Sequence, residues 1–342
     1  TNAYNTAVGF SAGAAVTTGQ LNTLIGGLAG DALTDSDTNV AVGANALSTD
    51  TLGAQSVAIG YKVLENQNFT TATNTRNTAV GYGAGNAVTT GTDNTLLGHE
   101  TGDALQTGYH NTAVGHDALG ATVAGINNVA IGMEAMASGN AGSNNTVIGK
   151  SAGAVMTGTN NVALGDLALN KATSPTINIA IGSGAGKEIT TGISNIVIGY
   201  LAGSHGVNLQ TGRYNVVIGN YADVAATDTD YANVIGYNVL GAEGYTTLGA
   251  NGDDIRAAHG NVTWATVSDE RYKKDIVDST AGLSFIKALK PRTFKYKTLG
   301  ELPETFKAYE ADSTDVFKNS NTNHGFIAQE VKAAIDADSG IK

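Results

Sequence analysis

Residues 268–275 read Ser-Asp-Glu-Arg-Tyr-Lys-Lys-Asp, and they hold side chains on which covalent chemistry could be built. A Ser hydroxyl is a weak nucleophile near neutral pH and needs a proton acceptor within hydrogen-bond reach. A Lys amine accepts a proton only when burial or nearby cations lower its pKa. Lys273 lies between Arg271 and Lys274, which would supply such a field. Read alone, the segment has a plainer explanation. Ser268 would be a helix N-cap, with Asp269 and Glu270 in a first turn whose dipole they suit.

The surrounding sequence shows which elements would position these groups. In the stretch 282–290, Leu283, Phe285, Ile286 and Leu289 are spaced as on a short amphipathic helix, which Pro291 would stop. Arg292-Thr-Phe-Lys-Tyr-Lys297 alternates like a strand, and His324-Gly-Phe-Ile-Ala-Gln-Glu-Val331 reads as a strand running into a helix near Ala328. Residues 261–342 carry 12 Lys/Arg against 12 Asp/Glu, two of the three prolines and the only Trp (Trp264), and so resemble an ordinary small domain.

Everything before it is different. The phrase Asn-x-Ala/Val-Ile/Val-Gly recurs with its glycine at 9, 26, 43, 60, 81, 98, 115, 132, 149, 165, 182, 199, 219, 236 and 249. The usual step is 17, with longer steps from 60 to 81 and from 199 to 219. A short fixed period means stacked supersecondary units. Each phrase alternates and then stops at Gly, which predicts a strand of about five residues. A small residue follows three positions later (Ala29, Ala46, Ala118, Ala152), then a second short strand and a Thr-Gly turn such as Thr90-Gly91 or Thr107-Gly108. Glycine in that turn is expected to provide a positive φ. Two strands and two corners in 17 residues make one coil of a β-solenoid. Coils about 4.8 Å apart would give a shaft of roughly 65–70 Å. The recurrent Asn, from Asn5 to Asn215, would stack as a hydrogen-bonded ladder.

Composition agrees with thin, repeated cores. There are 45 Gly, 3 Pro, 6% aromatic residues and no Cys, so no disulfide or thiolate metal site contributes. Residues 1–260 carry 7 Lys/Arg and 18 Asp/Glu, a sparse acidic surface that argues against a nucleic-acid partner. No run reaches the roughly 18 apolar residues of a membrane span. With Thr1 first, the sequence reads as part of a longer chain. No glycine stands in the full G-x-x-x-x-G-K-[ST] signature or the βαβ setting of a phosphate loop, and Asp does not recur in calcium-binding register. No cofactor or metal site is expected. The insertions at Tyr61–Arg76 and Tyr200–Arg213 would be surface loops, either tolerated or binding, and the histidines at 99, 110, 116, 205 and 259 read as surface residues without shared register.

The repeats resemble the head repeats of trimeric autotransporter adhesins and the similar repeats of phage tail-fibre shafts. That resemblance implies three parallel chains that bury the apolar outer face of each thin roll. The Ser268-Asp269-x-Arg271-x-Lys273 pattern, the Leu-x-Pro-Arg-x-Phe-x-Tyr-like stretch and His-Gly-Phe-Ile-Ala-Gln-Glu-Val together resemble the endosialidase-type C-terminal intramolecular chaperone, an autocleaving domain of phage tail spikes and fibres. The resemblance implies a homotrimer whose chaperone guides folding and then releases itself by a cut between Val267 and Ser268. Ser268 would be the nucleophile and Lys273 its general base, with Asp269, Arg271, His324 and Glu330 in support. The 75 residues from Ser268 to Lys342 are fewer than that family implies, so the chaperone reads as incomplete.

The expected architecture is mainly β: a solenoid shaft over 1–254, a linker over 255–267 and a small α+β chaperone over 268–342. The expected function is that of a structural and adhesive virion protein, a distal tail fibre that is extracellular once assembled, with its chaperone released in the host cytoplasm. Its partner would be a host receptor, a glycan or outer-membrane component. Its only enzymatic act would be one serine-peptidase cut in its own chain, with no external substrate, no nucleic acid and no membrane insertion. The competing reading is a cell-surface trimeric adhesin without proteolysis, which would need a membrane anchor. A glycan-degrading spike would need converging carboxylates, for which Asp253-Asp254 is a poor candidate. Ice binding would need a regular Thr array that is absent.

Overall fold

A computed structural model describes residues 3–260, 265–266, 283–306, 308–318 and 320–337. The chain divides into two compact units, Thr1–Val267 and Ser268–Lys342. The first is a β-solenoid of about 14 coils of about 17 residues.

Each phrase glycine from Gly9 to Gly219 is preceded by a three-residue strand, Gly236 and Gly249 lie within the longer strands Asn233–Tyr237 and Tyr245–Ala250, and successive strands pair in parallel with a shift of one coil. Thr112–Val114 lies between Thr95–Leu97 and Val129–Ile131, with Ala113 opposite Leu96 and Ala130. The same register runs from Thr6–Val8 to Tyr245–Ala250 within one 17-stranded sheet. Side chains alternate across a strand. The middle residue therefore points into the coil and is fully buried, as at Ala41, Ala113, Ala130, Val147 and Val197. The flanking two face outward. The third strand residue is Val, Ile or Leu in every coil from Val8 to Leu248, forming a continuous apolar stripe on the outer face.

The core is one side chain deep, and its filling is compensated across it. In four coils where the strand supplies a large residue, the position four after the phrase glycine is Gly: Leu24 with Gly30, Leu96 with Gly102, Val147 with Gly153, Val197 with Gly203; at Val217 it is the buried Asp223. A Cβ at Gly102 would stand 2.9 Å from Leu96 Cδ2. Where the strand supplies Ala, that position is large and buried: Ala41 with Leu47, Ala58 with Leu64, Ala113 with Leu119, Ala130 with Met136, Ala163 with Leu169. At Ala7 with Gly13, Ala79 with Gly85 and Ala180 with Gly186 both are small; at Gly85, Leu64 and Leu96 of the adjacent coils reach in to within 2.8 Å of a Cβ built there. In nine coils these two positions trade volume, and where both are small, other side chains of the stack fill the space, as close packing requires.

The asparagine ladder forms as expected. Asn128 Nδ2 donates to Gly142 O (2.8 Å), and its Oδ1 accepts from the backbone N–H of Asn145 (3.0 Å), which repeats the pattern one coil on. The ladder runs from Asn5 to Asn215 and passes to Ala232 N. It is broken at Ser56, where the amide of Gln67 takes over, donating to Ser56 Oγ (3.0 Å) and accepting from Asn77 Nδ2 (2.8 Å).

Three expectations need correction. A second strand is not general: a short second ladder occurs at Gly53–Ala54 with Thr73–Asn74 and at Asp223–Val224 with Leu240–Gly241, single parallel bridges link Thr159, Thr176, Ile193 and Arg213, and the remaining coils close through turns. The turn glycines do not adopt positive φ. Gly91 and Gly108 are there because coils approach closely, and a Cβ at Gly91 would fall on the carbonyl oxygen of Gly108. Left-handed corners are carried mainly by other residues, among them Asp93 (φ 57°), His110 (φ 57°), Asp117 (φ 56°) and Leu119 (φ 61°). Such residues cost roughly 1–2 kcal/mol each, offset by hydrogen bonds to the neighbouring coil, as from Asp117 N to His99 O (3.0 Å). Third, Asp253–Ala258 is not linker. It turns back antiparallel on Tyr245–Ala250 and ends the parallel stack, and Ala265–Thr266 pairs with it in turn.

Candidate functional site

Of the residues expected to carry the chemistry, Val267, Ser268, Asp269, Arg271 and Lys273 lie outside the described residues. His324 and Glu330 lie within them. The helix expected around 282–290 is present as Leu283–Ala288, and the strand expected at Arg292 is Arg292–Phe294. That strand pairs antiparallel with Asn323–Gly325, setting Thr293 opposite His324. The two sequence blocks that looked distinctive are therefore neighbours in one small sheet. The chain then enters the helix Ala328–Ala337, with Glu330 in its first turn.

Glu330 is held by Arg292. Nε donates to Oε2 at 3.0 Å and Nη2 to Oε1 at 2.5 Å, a two-pronged pair from strand to helix. The guanidinium holds the Glu330 carboxyl below the usual glutamate range, and the carboxylate raises Arg292 in turn. A carboxylate at a helix N-terminus also suits the dipole. Glu330 thus fixes the angle between helix and sheet. Arg292 was not singled out in the sequence, although a lone Arg in one block and a lone Glu in the other were a usable sign of the pair. His324 is exposed on the sheet, with Nδ1 3.5 Å from Thr293 Oγ1. Near it, Phe294, Tyr296 and Phe317 form an edge-to-face chain of rings at 5.4 and 6.2 Å.

This unit buries very little. Among its described residues Ala334 alone is buried, while Ile286, Phe306, Phe326 and Ile335 are exposed. Apolar side chains on both helices and on the segment between sheet and helix are left without a core of their own.

The two insertions in the solenoid are bound into the stack. The buried Asp50 carboxylate accepts from Gly53 N (3.1 Å), Phe69 N (2.9 Å) and Gln67 Nε2 (2.7 Å), which pins the first insertion, and burial pushes its carboxyl up. Asp223 does the same for the second, with Oδ2 accepting from His205 N (3.1 Å), Gly206 N (2.8 Å) and Asn208 N (3.2 Å). Asp254, considered for a carboxylate pair, is instead 3.5 Å from Arg256 Nη2.

No helix among the described residues is long and apolar enough to cross a membrane. Neither a curated protein nor a solved structure matches the chain. Residues 268–339 match the model of the family described as chaperone of endosialidase. The match opens at the residue where the second compact unit begins. The chain is a β-solenoid whose C-terminal segment, residues 268–339, matches the endosialidase chaperone family.

Proposed function

We propose that this chain is the distal part of a trimeric tail fibre whose C-terminal domain assembles three shafts and then cuts itself away between Val267 and Ser268. The observation that carries the reading is the coincidence at Ser268. The family match and the second compact unit both begin there, at the residue whose hydroxyl was expected to act.

Two features support trimeric assembly. The C-terminal unit exposes the apolar faces of its helices, which association would cover. The solenoid exposes a Val/Ile/Leu stripe one residue wide and every coil long, with Leu97 at 48% and Ile148 at 39% exposure. Contiguous apolar surface of this kind marks an interface. Parallel coils also fold slowly, because non-local pairing precedes the contacts that reward it. A trimeric nucleus answers that difficulty. Once it is gone, the shaft's persistence is set by its unfolding rate.

The cut is written as an acyl shift. Ser268 Oγ attacks the Val267 carbonyl carbon while Lys273 takes the hydroxyl proton. The C–N bond breaks, and Lys273 returns the proton to the departing Ser268 nitrogen. An ester joins the Val267 carbonyl to Ser268 Oγ until water hydrolyses it, leaving a carboxylate on Val267 and a free amine and hydroxyl on Ser268. Arg271 keeps Lys273 neutral by like-charge repulsion, and Asp269 and His324 are supporting groups. The assembled fibre belongs to the virion and is adhesive, its receptor a glycan or outer-membrane component of the host.

Mass spectrometry under denaturing conditions tests the cut. Wild type is expected as 1–267 and 268–342, with masses that sum to the intact chain plus one water, and Ser268→Ala and Lys273→Met are expected as single chains. Intact wild type, or equal cleavage in Ser268→Ala, overturns it.

A further inference from the structure

Every phrase glycine is followed by a solvent-facing corner that recurs in register along the shaft. At Gly98 and Gly115 that corner residue is His99 and His116, so these two histidines do share register, contrary to the sequence reading. Their rings stack with centroids 5.1 Å apart and planes 14° apart. They prolong a column of rings that begins with Tyr61 and Tyr82 (5.4 Å) and continues from Tyr82 to His99 (4.9 Å). The next corner residue is Glu100, then Asp117, then Glu134 on successive coils. Backbone bonds from Asp117 N to His99 O (3.0 Å) and from Glu134 N to His116 O (2.9 Å) hold these carboxylates side by side. Glu100 Oε2 lies 3.4 Å from His99 Nδ1. One donor atom from each of His99, Glu100 and His116 lies within 4.8 Å of the others.

This column breaks a rule followed at other corners. Like charges facing one another across adjacent strands repel. At three other corners the charges that meet from coil to coil are opposite: Arg76 with Asp93, Lys171 with Glu188, Arg213 with Asp230, each pair 17 residues apart. Among the described residues, no Lys or Arg forms an ion pair with Glu100, Asp117 or Glu134. Three carboxylates stand in line beside two imidazoles; Glu134 accepts from Ser151 Oγ (2.9 Å), and none of the three has a Lys or Arg ion-pair partner among the described residues.

We propose that His99, Glu100 and His116 bind one divalent first-row transition metal ion, with zinc as the representative, on the surface of the shaft. Two imidazoles and a carboxylate are a donor set suited to such ions, and the ion supplies the positive charge the column lacks. The two histidines come from adjacent coils whose spacing the backbone ladder fixes, so the site is partly organised before binding. Metal bonds of about 2.0–2.1 Å in a tetrahedron place donor atoms about 3.4 Å apart. Side-chain rotation closes the remaining gap, because His99 and His116 are exposed and Glu100 is half-buried. The fourth position is left to water.

The test is competition for zinc between the intact chain and a chromophoric chelator at about pH 7.5, where imidazole is mainly neutral. One zinc per chain is expected at this site. His99→Ala and His116→Ala should each weaken it roughly tenfold or more, with circular dichroism unchanged, while His110→Ala, another exposed solenoid histidine, should leave it intact. Absence of zinc uptake against the chelator overturns the proposal. So does wild-type affinity in His99→Ala and His116→Ala, or a loss in His110→Ala equal to theirs.

Discussion

The compensation of volume across the thin core makes a quantitative expectation at Leu96 and Gly102. Leu96 is 1% exposed and fills the strand side of its coil beside the buried Leu105, since Gly102 opposite has no side chain. Leu96→Ala leaves a cavity in a layer one side chain deep, and large-to-small changes of this kind cost about 2–5 kcal/mol. Gly102→Leu alone overfills the coil, because its Cβ would already be 2.9 Å from Leu96 Cδ2. Overpacking costs about 1–3 kcal/mol. At the two exchanged positions the double variant matches the next coil, Ala113 with Leu119, while Leu105 stays where that coil has the smaller Thr122. Its backbone is suited to the exchange, since Gly102 has φ 59° and Leu119 φ 61°. The double variant should therefore lie within about 1.5 kcal/mol of wild type, a coupling of several kcal/mol of favourable sign. Urea denaturation followed by circular dichroism on the four chains measures it. Additive losses, with the double variant the least stable, would refute volume compensation.

Other expectations follow from single contacts. Gly115→Ala places a methyl 2.7 Å from the Gly132 carbonyl oxygen at φ 131°, a region for glycine, and should lower the urea midpoint more than Ala121→Gly. Asn128→Ala leaves Gly142 O and Asn145 N without their side-chain partner, a loss of about 1–3 kcal/mol for each group left unpaired, whereas breaking the exposed Lys171–Glu188 pair by Lys171→Ala should cost about 0–1 kcal/mol. Glu330 is held below its ordinary value of 4.5 by Arg292. Its support of the helix is thus complete above that value and lost as pH falls through the lower folded-state value. Hydrogen exchange of the Ala328–Ala337 amides should be faster in Glu330→Gln than in wild type at neutral pH and alike in strong acid.

The solenoid was legible because each coil repeats one environment, so the phrase glycine and its asparagine mark every strand and every rung. The role of glycine was less so. At Gly115 it answers both φ and space, at Gly91 space alone, and the letter is the same. Left-handed corners at Leu119 or Asp117 gave no sign, because it is the adjacent coil, not local propensity, that holds them there. The five-residue alternation at each phrase implies a strand and the 17-residue period leaves room for a second, but turns close most coils once the parallel ladder is satisfied. His99 and His116 looked scattered until counted from the glycines. In the C-terminal unit the pairing of Arg292–Phe294 with Asn323–Gly325 spans a gap that no periodicity bridges.

Native mass spectrometry of Ser268→Ala, which should retain every domain, is the most direct test of assembly. Three chains are expected in one particle, with no free monomer at micromolar concentration. A soluble monomer, its Val8-to-Leu248 stripe open to water, would contradict the account.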